Sequence, residues 1–280
     1  MNIKITSDST CDLSKELVAA HNIGIIPLTV VKEDKSYSDG VNITPADIFA
    51  HVAAGGNLCS TAALGVGEYQ DFFAKFAGEY DGVLHINISA EFSSSYQNAC
   101  LAAEDFDNVR VVDSRNLSTG QGLVVLKACE LAKTCESMDD LQNQLNEFTT
   151  KIEASFLLDQ LKYMVKGGRC SAVAALGANL LNLKPCIEVK DGKMSVVKKY
   201  RGSFSKCLVS YVKERLSGRD DLDRGTLFVT RTPIADDSLE AVEDAVKEYA
   251  DFENIYWTEA GSTVSCHCGP GTLGVLFVRK

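Results

Sequence analysis

Apolar residues in the first half of the chain fall in short runs separated by helical patterns. Ile3–Thr6 reads as a strand, Ser7-Asp8-Ser9-Thr10 as a turn, and Leu13, Leu17 and Val18 as one face of a helix. Ile25–Val31 is a second β-run. Pro27 within it points to an edge position or a bulge, because proline has no N–H to give to a ladder. Thr44-Pro45-Ala46-Asp47 has the form of a capping box with proline at the first helical position, and Gly55-Gly56 closes that helix. Tyr69, Phe72, Phe73, Phe76 and Tyr80 recur at helical spacing, as a core-facing stripe does. Val83–Ile88 and Val109–Val112 are further strands, with helices near 117–134 and 138–151. Strands that alternate with helices predict a mostly parallel sheet flanked by helices.

The pattern changes near residue 153. Phe156–Leu158 is a short strand, and a helix running to Val165 is stopped by Gly167-Gly168. Ile187–Val189 and Met194–Val197 flank Asp191-Gly192 as a hairpin, which requires antiparallel pairing. Thr226–Thr230, Ile255–Trp257 and Leu273–Val278 supply more strands around helices near 204–216 and 237–250. At roughly 150 residues per domain, 280 residues suggest two. The expectation is an α/β fold with residues 1–152 around the parallel sheet and 153–280 around a mixed or antiparallel one.

Composition narrows the function. A net charge of −10 argues against nucleic-acid binding, which needs a basic surface. The charge is uneven, however: residues 151–206 hold 11 Lys+Arg against 4 Asp+Glu. That basic segment implies a phosphate, an acidic protein or transient contact with a membrane surface, unless the acidic half of the chain pairs with it. No apolar run reaches the roughly 18 residues of a membrane span, and the chain opens on a strand with no signal-peptide pattern. A cytoplasmic protein is expected, with its ten scattered cysteines reduced. Cys266-His267-Cys268 has the wrong spacing for zinc and no second pair, so no metal and no cofactor are expected.

The chain contains no phosphate-binding G-x-x-x-x-G-K-[ST] loop, no H-E-x-x-H and no G-x-S-x-G. What stands out is Ile86-Asn87-Ile88-Ser89-Ala90-Glu91-Phe92-Ser93-Ser94-Ser95-Tyr96-Gln97, where a strand runs into a burst of hydroxyls and a helix begins. Loops at the carboxyl ends of strands in open α/β sheets bind ligands, and a helix N-terminus favours an anion. Four other places carry candidate chemistry: Ser7-Asp8-Ser9-Thr10, the small-residue loop Ser60-Thr61-Ala62-Ala63, Gly167-Gly168-Arg169, and His267 before the Gly269-Pro270-Gly271 turn, which would expose it.

Taken in order, Ser7-Asp8-Ser9, Thr61, Ser93-x-x-Tyr96-Gln97, Val112-Asp113-Ser114, Gly167-Gly168-Arg169 and His267-Cys268-Gly269-Pro270-Gly271 resemble the DegV family across essentially the whole chain. That family reads "DS-x-x-DL", "TSQPS", "ISS-x-LSGTYQSA", "VDS", "GGR" and "H-x-GPG". The resemblance implies a two-domain α/β fold with a long-chain fatty acid bound between or within the domains. It implies a lipid-binding carrier with no catalysis of its own, which presents the acid to the ATP-binding subunit of a fatty acid kinase for conversion to an acyl-phosphate. By motif position, Thr61, Ser93 and His267 would hold the carboxylate. Arg169 and Arg201 would lie near it or face the kinase, with Asp8, Ser9, Ser95 and Gly269 as supporting positions. The chain departs from the family at Ala62-Ala63-Leu64-Gly65, which replaces "SQPS", at Ser94, which replaces glycine, and at Ala90, which replaces serine. These changes bear on acyl-chain preference.

The physical chemistry of a lipid site agrees. Burying about twelve methylenes at ~0.8 kcal/mol each offers on the order of 10 kcal/mol gross. A buried carboxylate needs donors, which two hydroxyls and an imidazolium would supply. The alternative is a serine hydrolase or acyltransferase with Ser93 as nucleophile, His267 as base, and Asp8 or Asp113 orienting it.

Overall fold

The computed structural model describes residues 1–174 and 183–280. In chain order the first half runs β1 (Ile3–Asp8), α1 (Lys15–Ala20), β2 (Gly24–Ile26), β3 (Thr29–Lys32), β4 (Lys35–Ser38), α2 (Pro45–Ala53) and β5 (Ser60–Ala62). It continues through α3 (Val66–Ala77), β6 (Gly82–Asn87), α4 (Ser95–Ala103), β7 (Val109–Asp113), α5 (Ser118–Leu131) and α6 (Met138–Phe148). The second half runs β8 (Ile152–Leu158), α7 (Lys162–Gly167), α8 (Ser171–Ala174), β9 (Leu183–Lys190), β10 (Lys193–Arg201) and α9 (Phe204–Leu216). It ends with β11 (Leu222–Arg231), α10 (Asp236–Tyr249), β12 (Asn254–Glu259), α11 (Ser262–Cys268) and β13 (Thr272–Arg279).

The fold is α/β. A four-stranded sheet, β2-β1-β6-β7, is parallel throughout. A six-stranded mixed sheet, β10-β9-β8-β13-β11-β12, is antiparallel except where β11 meets β12. The first draws only on residues before 114 and the second only on residues from 152 onward. Their largest apolar core is nonetheless shared: Ile5, Ile86 and Val112 pack in one cluster with Ala154, Ile187 and Phe228.

Local chemistry explains most of the elements. The α2 capping box closes in both directions, Thr44 N–H donating to Asp47 Oδ2 at 2.8 Å and Asp47 N–H to Thr44 Oγ1 at 3.3 Å. Tyr69, Phe72 and Phe73 of α3 are buried in a core with Val83 and Val109. Asp191 and Gly192, both at positive φ, form the two-residue turn between β9 and β10.

Two expectations need revision. The run Ile25–Val31 is not one strand: Pro27 divides it into β2, at the edge of the parallel sheet, and β3, which belongs to a separate three-stranded antiparallel sheet, β4-β3-β5. Ser60-Thr61-Ala62 is not a loop but the third strand of that small sheet, pairing Thr61 with Val30.

Candidate functional site

Thr61 and His267 lie 206 residues apart in sequence, and the fold brings Thr61 Oγ1 to 2.8 Å from His267 Nε2. β5 presents the threonine and the last turn of α11 presents the histidine. The helix is held from outside. Asp39 accepts from the N–H groups of Ser262 and Thr263 at 2.8 and 3.2 Å, and Asp12 accepts from Gly261 N–H at 2.9 Å. These carboxylates satisfy donors that a short helix leaves unpaired at its start.

His267 is therefore not exposed by a turn. It is half-buried, with Nδ1 lying against Gly167 of α7, and Nδ1 has no hydrogen-bond partner among the described residues. Burial, helped by the positive charge of Arg169, pushes its pKa down to about 4. The imidazole is thus neutral near pH 7, not the imidazolium expected from sequence.

Thr61, Ser93, Arg169 and His267 line one cavity of about 770 Å³, counting its open mouth. Its other walls are mostly apolar, with Leu28, Ile88, Phe92, Leu117, Met164 and Met194 among them. A second void of about 400 Å³ shares Leu117, Val264 and Cys268 with the first and continues past Ala154, Phe156 and Leu276. The two voids thus share part of one wall, and the polar residues lie on the first. Ligand sites of roughly 300–1,000 Å³ with a few convergent polar groups are the usual kind.

The serine burst divides its labour. Ser93 Oγ lies 2.8 Å from Ser95 Oγ and accepts from Ser95 N–H, the first N–H of α4, at 3.1 Å beside the cavity. Ser95 is buried behind Ser93, so it supports the site without lining it. Ser89 points elsewhere and donates to the Gly192 carbonyl at 2.9 Å. Arg169 donates to the carbonyls of Gly167 at 2.8 Å and Phe92 at 3.4 Å, which holds its guanidinium at the cavity wall.

The remaining candidates lie off the cavity. Asp8 is fully buried and accepts from Ile88 N–H at 2.8 Å, Gln121 Nε2 at 3.0 Å and Thr10 N–H at 3.0 Å, so it ties the carboxyl ends of β1 and β6 together. Ser9 donates to Asp39 Oδ2 at 2.9 Å and accepts from Leu28 N–H. Gly269, at φ 71°, closes α11 against the face of Tyr163. Arg201 is exposed at the end of β10 and does not line the cavity. Of the basic segment, Lys184 pairs with Asp159, Lys193 with Glu91 and Lys198 with Glu214, while Lys162, Lys166, Lys199 and Arg201 make no ion pair among the described residues.

A hydrolase arrangement is not assembled. Ser93 meets Ser95, His267 Nε2 meets Thr61, and Asp113 is occupied by the N–H groups of Ala90 and Arg115. Cys266 packs with Cys59 in a small core while Cys268 enters the main one, so the Cys-His-Cys run does not converge on a point.

The model of the DegV family, described as "Uncharacterised protein, DegV family", matches residues 2–280. The chain belongs to the DegV family. A DegV domain-containing protein of Clostridium acetobutylicum is 31% identical over 283 residues, covering 99% of each chain. Among solved structures, a DegV family protein of Thermus thermophilus described by its fatty acid binding superposes with a TM-score of 0.89 at 27% identity over the whole of both chains. DegV of Bacillus subtilis, a fatty acid binding protein, gives 0.82 at 26% identity, again over both chains entire. No helix among the described residues of this DegV protein is long and apolar enough to cross a membrane.

Proposed function

We propose that this chain is a cytoplasmic fatty-acid carrier that presents the acid's carboxylate to an ATP-dependent fatty acid kinase subunit. The lipid lies between the halves formed by residues 1–152 and 153–280. The observation that carries this reading is the apolar double cavity headed by Thr61, Ser93 and His267. The fatty acids bound by the Thermus and Bacillus relatives support it.

The chain's own residues set the orientation. Hydrocarbon is favoured against the apolar cavity walls, and the carboxylate is favoured only where hydroxyls, the imidazole and Arg169 can satisfy it. An arriving carboxylate stabilises the protonated ring, so His267 and the acid hold a proton between them. The unpaired lysines and Arg201 suit a partner that handles phosphate. The kinase role rests on the motif resemblance, and this chain supplies no chemistry of its own.

Native mass spectrometry after gentle purification tests the carrier role. A stoichiometric fatty acid should appear, with retention weakened by Ser93→Ala and by His267→Ala. Absence of lipid together with no uptake of added hexadecanoic acid would sink it. Mixing the loaded protein with ATP and a fatty acid kinase ATP-binding subunit should yield acyl-phosphate and ADP only when both proteins are present. A fluorophosphonate probe that labelled Ser93 would instead favour the hydrolase.

A further inference from the structure

A separate cleft, of about 690 Å³ counting its open mouth, lies where the two halves of the chain meet. It shares no lining residue with the cavity that holds Thr61 and His267. Its walls carry donors from three places far apart in sequence: Arg115 and Asn116 follow β7, Lys190 ends β9, and Arg279 ends β13.

The carboxylates of this cleft are already engaged. Glu153 accepts from Arg219 Nη1 at 2.7 Å and Nη2 at 2.9 Å, Glu188 Oε2 from Arg215 at 2.7 Å, and Asp191 Oδ1 from Arg115 at 3.2 Å. Lys190 and Arg279 make no ion pair among the described residues, and Arg279 donates only to the Thr150 carbonyl, at 3.4 Å. With Arg215, Arg219 and its second partner Asp221 included, five cations face four carboxylates, which leaves a local surplus of positive charge. Asn116 adds an uncharged donor. It is 2% exposed, and its Oδ1 accepts from Leu117 N–H at 3.2 Å, while its Nδ2 has no hydrogen-bond partner among the described residues. That nitrogen is not sealed in, and the little surface the residue keeps opens on the cleft. So deeply buried an amide without a partner is uncommon.

We propose that this cleft binds a small phosphate monoester carrying hydroxyl groups, its phosphate held by Lys190, Arg279 and Asn116 Nδ2. Phosphate oxygens are strong acceptors and take their best hydrogen bonds from ionised donors. The cleft is larger than an oxyanion needs, and the unshared oxygens Glu188 Oε1 and Asp191 Oδ2 suit hydroxyl donors on the rest of the molecule. Arg115 and Asn116 belong to the first half and Lys190 and Arg279 to the second, so the ligand bridges the halves beside Leu117, which lines the lipid cavity.

The test is isothermal titration calorimetry on the full chain with inorganic phosphate and with ribose 5-phosphate, at fixed ionic strength so that screening is constant. Both should bind saturably, the ester more tightly. Lys190→Gln and Arg279→Gln should each weaken binding by about tenfold or more. Asn116→Asp keeps the acceptor for Leu117 N–H but turns the donor into a repelling oxygen, and should abolish binding. Thermal unfolding checks that each variant is folded. Lys247→Gln, on α10 and outside the cleft, should bind as the wild type does. Equal affinity for the two probes would overturn the ester and assign the site to free phosphate. No saturable heat with either probe, or wild-type affinity in both Lys190→Gln and Arg279→Gln, overturns the site itself.

Discussion

A methyl group added at Gly167 would land 2.2 Å from His267 Nδ1 and 3.2 Å from its Cγ and Cε1. Non-bonded heavy atoms sit best at about 3.5–4.0 Å, so Gly167→Ala must drive the imidazole away by more than about 1 Å. The 2.8 Å contact between His267 Nε2 and Thr61 Oγ1 then opens beyond hydrogen-bond reach. Gly167 is not at positive φ, so alanine is itself tolerated there and gains about 1 kcal/mol of helix propensity. Against overpacking of roughly 1–3 kcal/mol, the net loss of stability is at most about 2 kcal/mol. Binding should suffer more, because a lost hydrogen bond to a charged group is worth about 1.5–3 kcal/mol, or on the order of 10- to 100-fold in affinity. The neighbouring Gly168 is the control. At φ 68° with open space around it, Gly168→Ala should cost about 1–2 kcal/mol through backbone strain while leaving the ring where it is. Thermal unfolding and titration with hexadecanoic acid, run on both variants, separate the effects. Wild-type affinity in Gly167→Ala would refute the argument that this glycine exists to seat His267.

Two further outcomes follow from the same geometry. Asp39→Asn weakens the acceptor shared by Ser262 N–H, Thr263 N–H and Ser9 Oγ, and should lower stability by about 1–2 kcal/mol in denaturant unfolding; no change would remove Asp39 as the anchor of α11. Acid should also destabilise the fold, because burial pushes His85 down to about 3 and His267 down to about 4. Both rings are neutral when folded but take up protons when unfolded below about 6.5, so their contribution is complete above that pH and is lost as pH falls toward 4. The fall in unfolding temperature over that window should be shallower in His267→Gln, and an identical fall would contradict the burial argument.

What could be read from sequence was local. The Thr44–Asp47 box, the Asp191-Gly192 turn and the aromatic stripe of α3 each state their structure within a few residues. β5 could not be read this way, since Ser60-Thr61-Ala62 is short and polar and becomes a strand only by pairing with β3 from thirty residues earlier. Ser262-Thr263-Val264-Ser265-Cys266-His267-Cys268 is equally mute: its residues are weak helix formers, and the helix depends on Asp39 and Asp12 far away in sequence. Thr61 and His267 were therefore linked only through the order of family motifs. Gly167-Gly168 was legible as a helix stop, yet only Gly168 has that conformation, and the space Gly167 leaves for an imidazole has no local signature.

Among the described residues β13 follows every other strand in the sequence, yet it lies between β8 and β11 inside the six-stranded sheet. During synthesis, the ribosome must release residues through the end of this strand before the sheet can close. Until then β8 and β11 each present an open edge, the kind of surface that invites pairing with other chains. Until β13 is in place that backbone stays unprotected, and damage to Thr272–Arg279 should show up as insolubility before it shows up as lost binding.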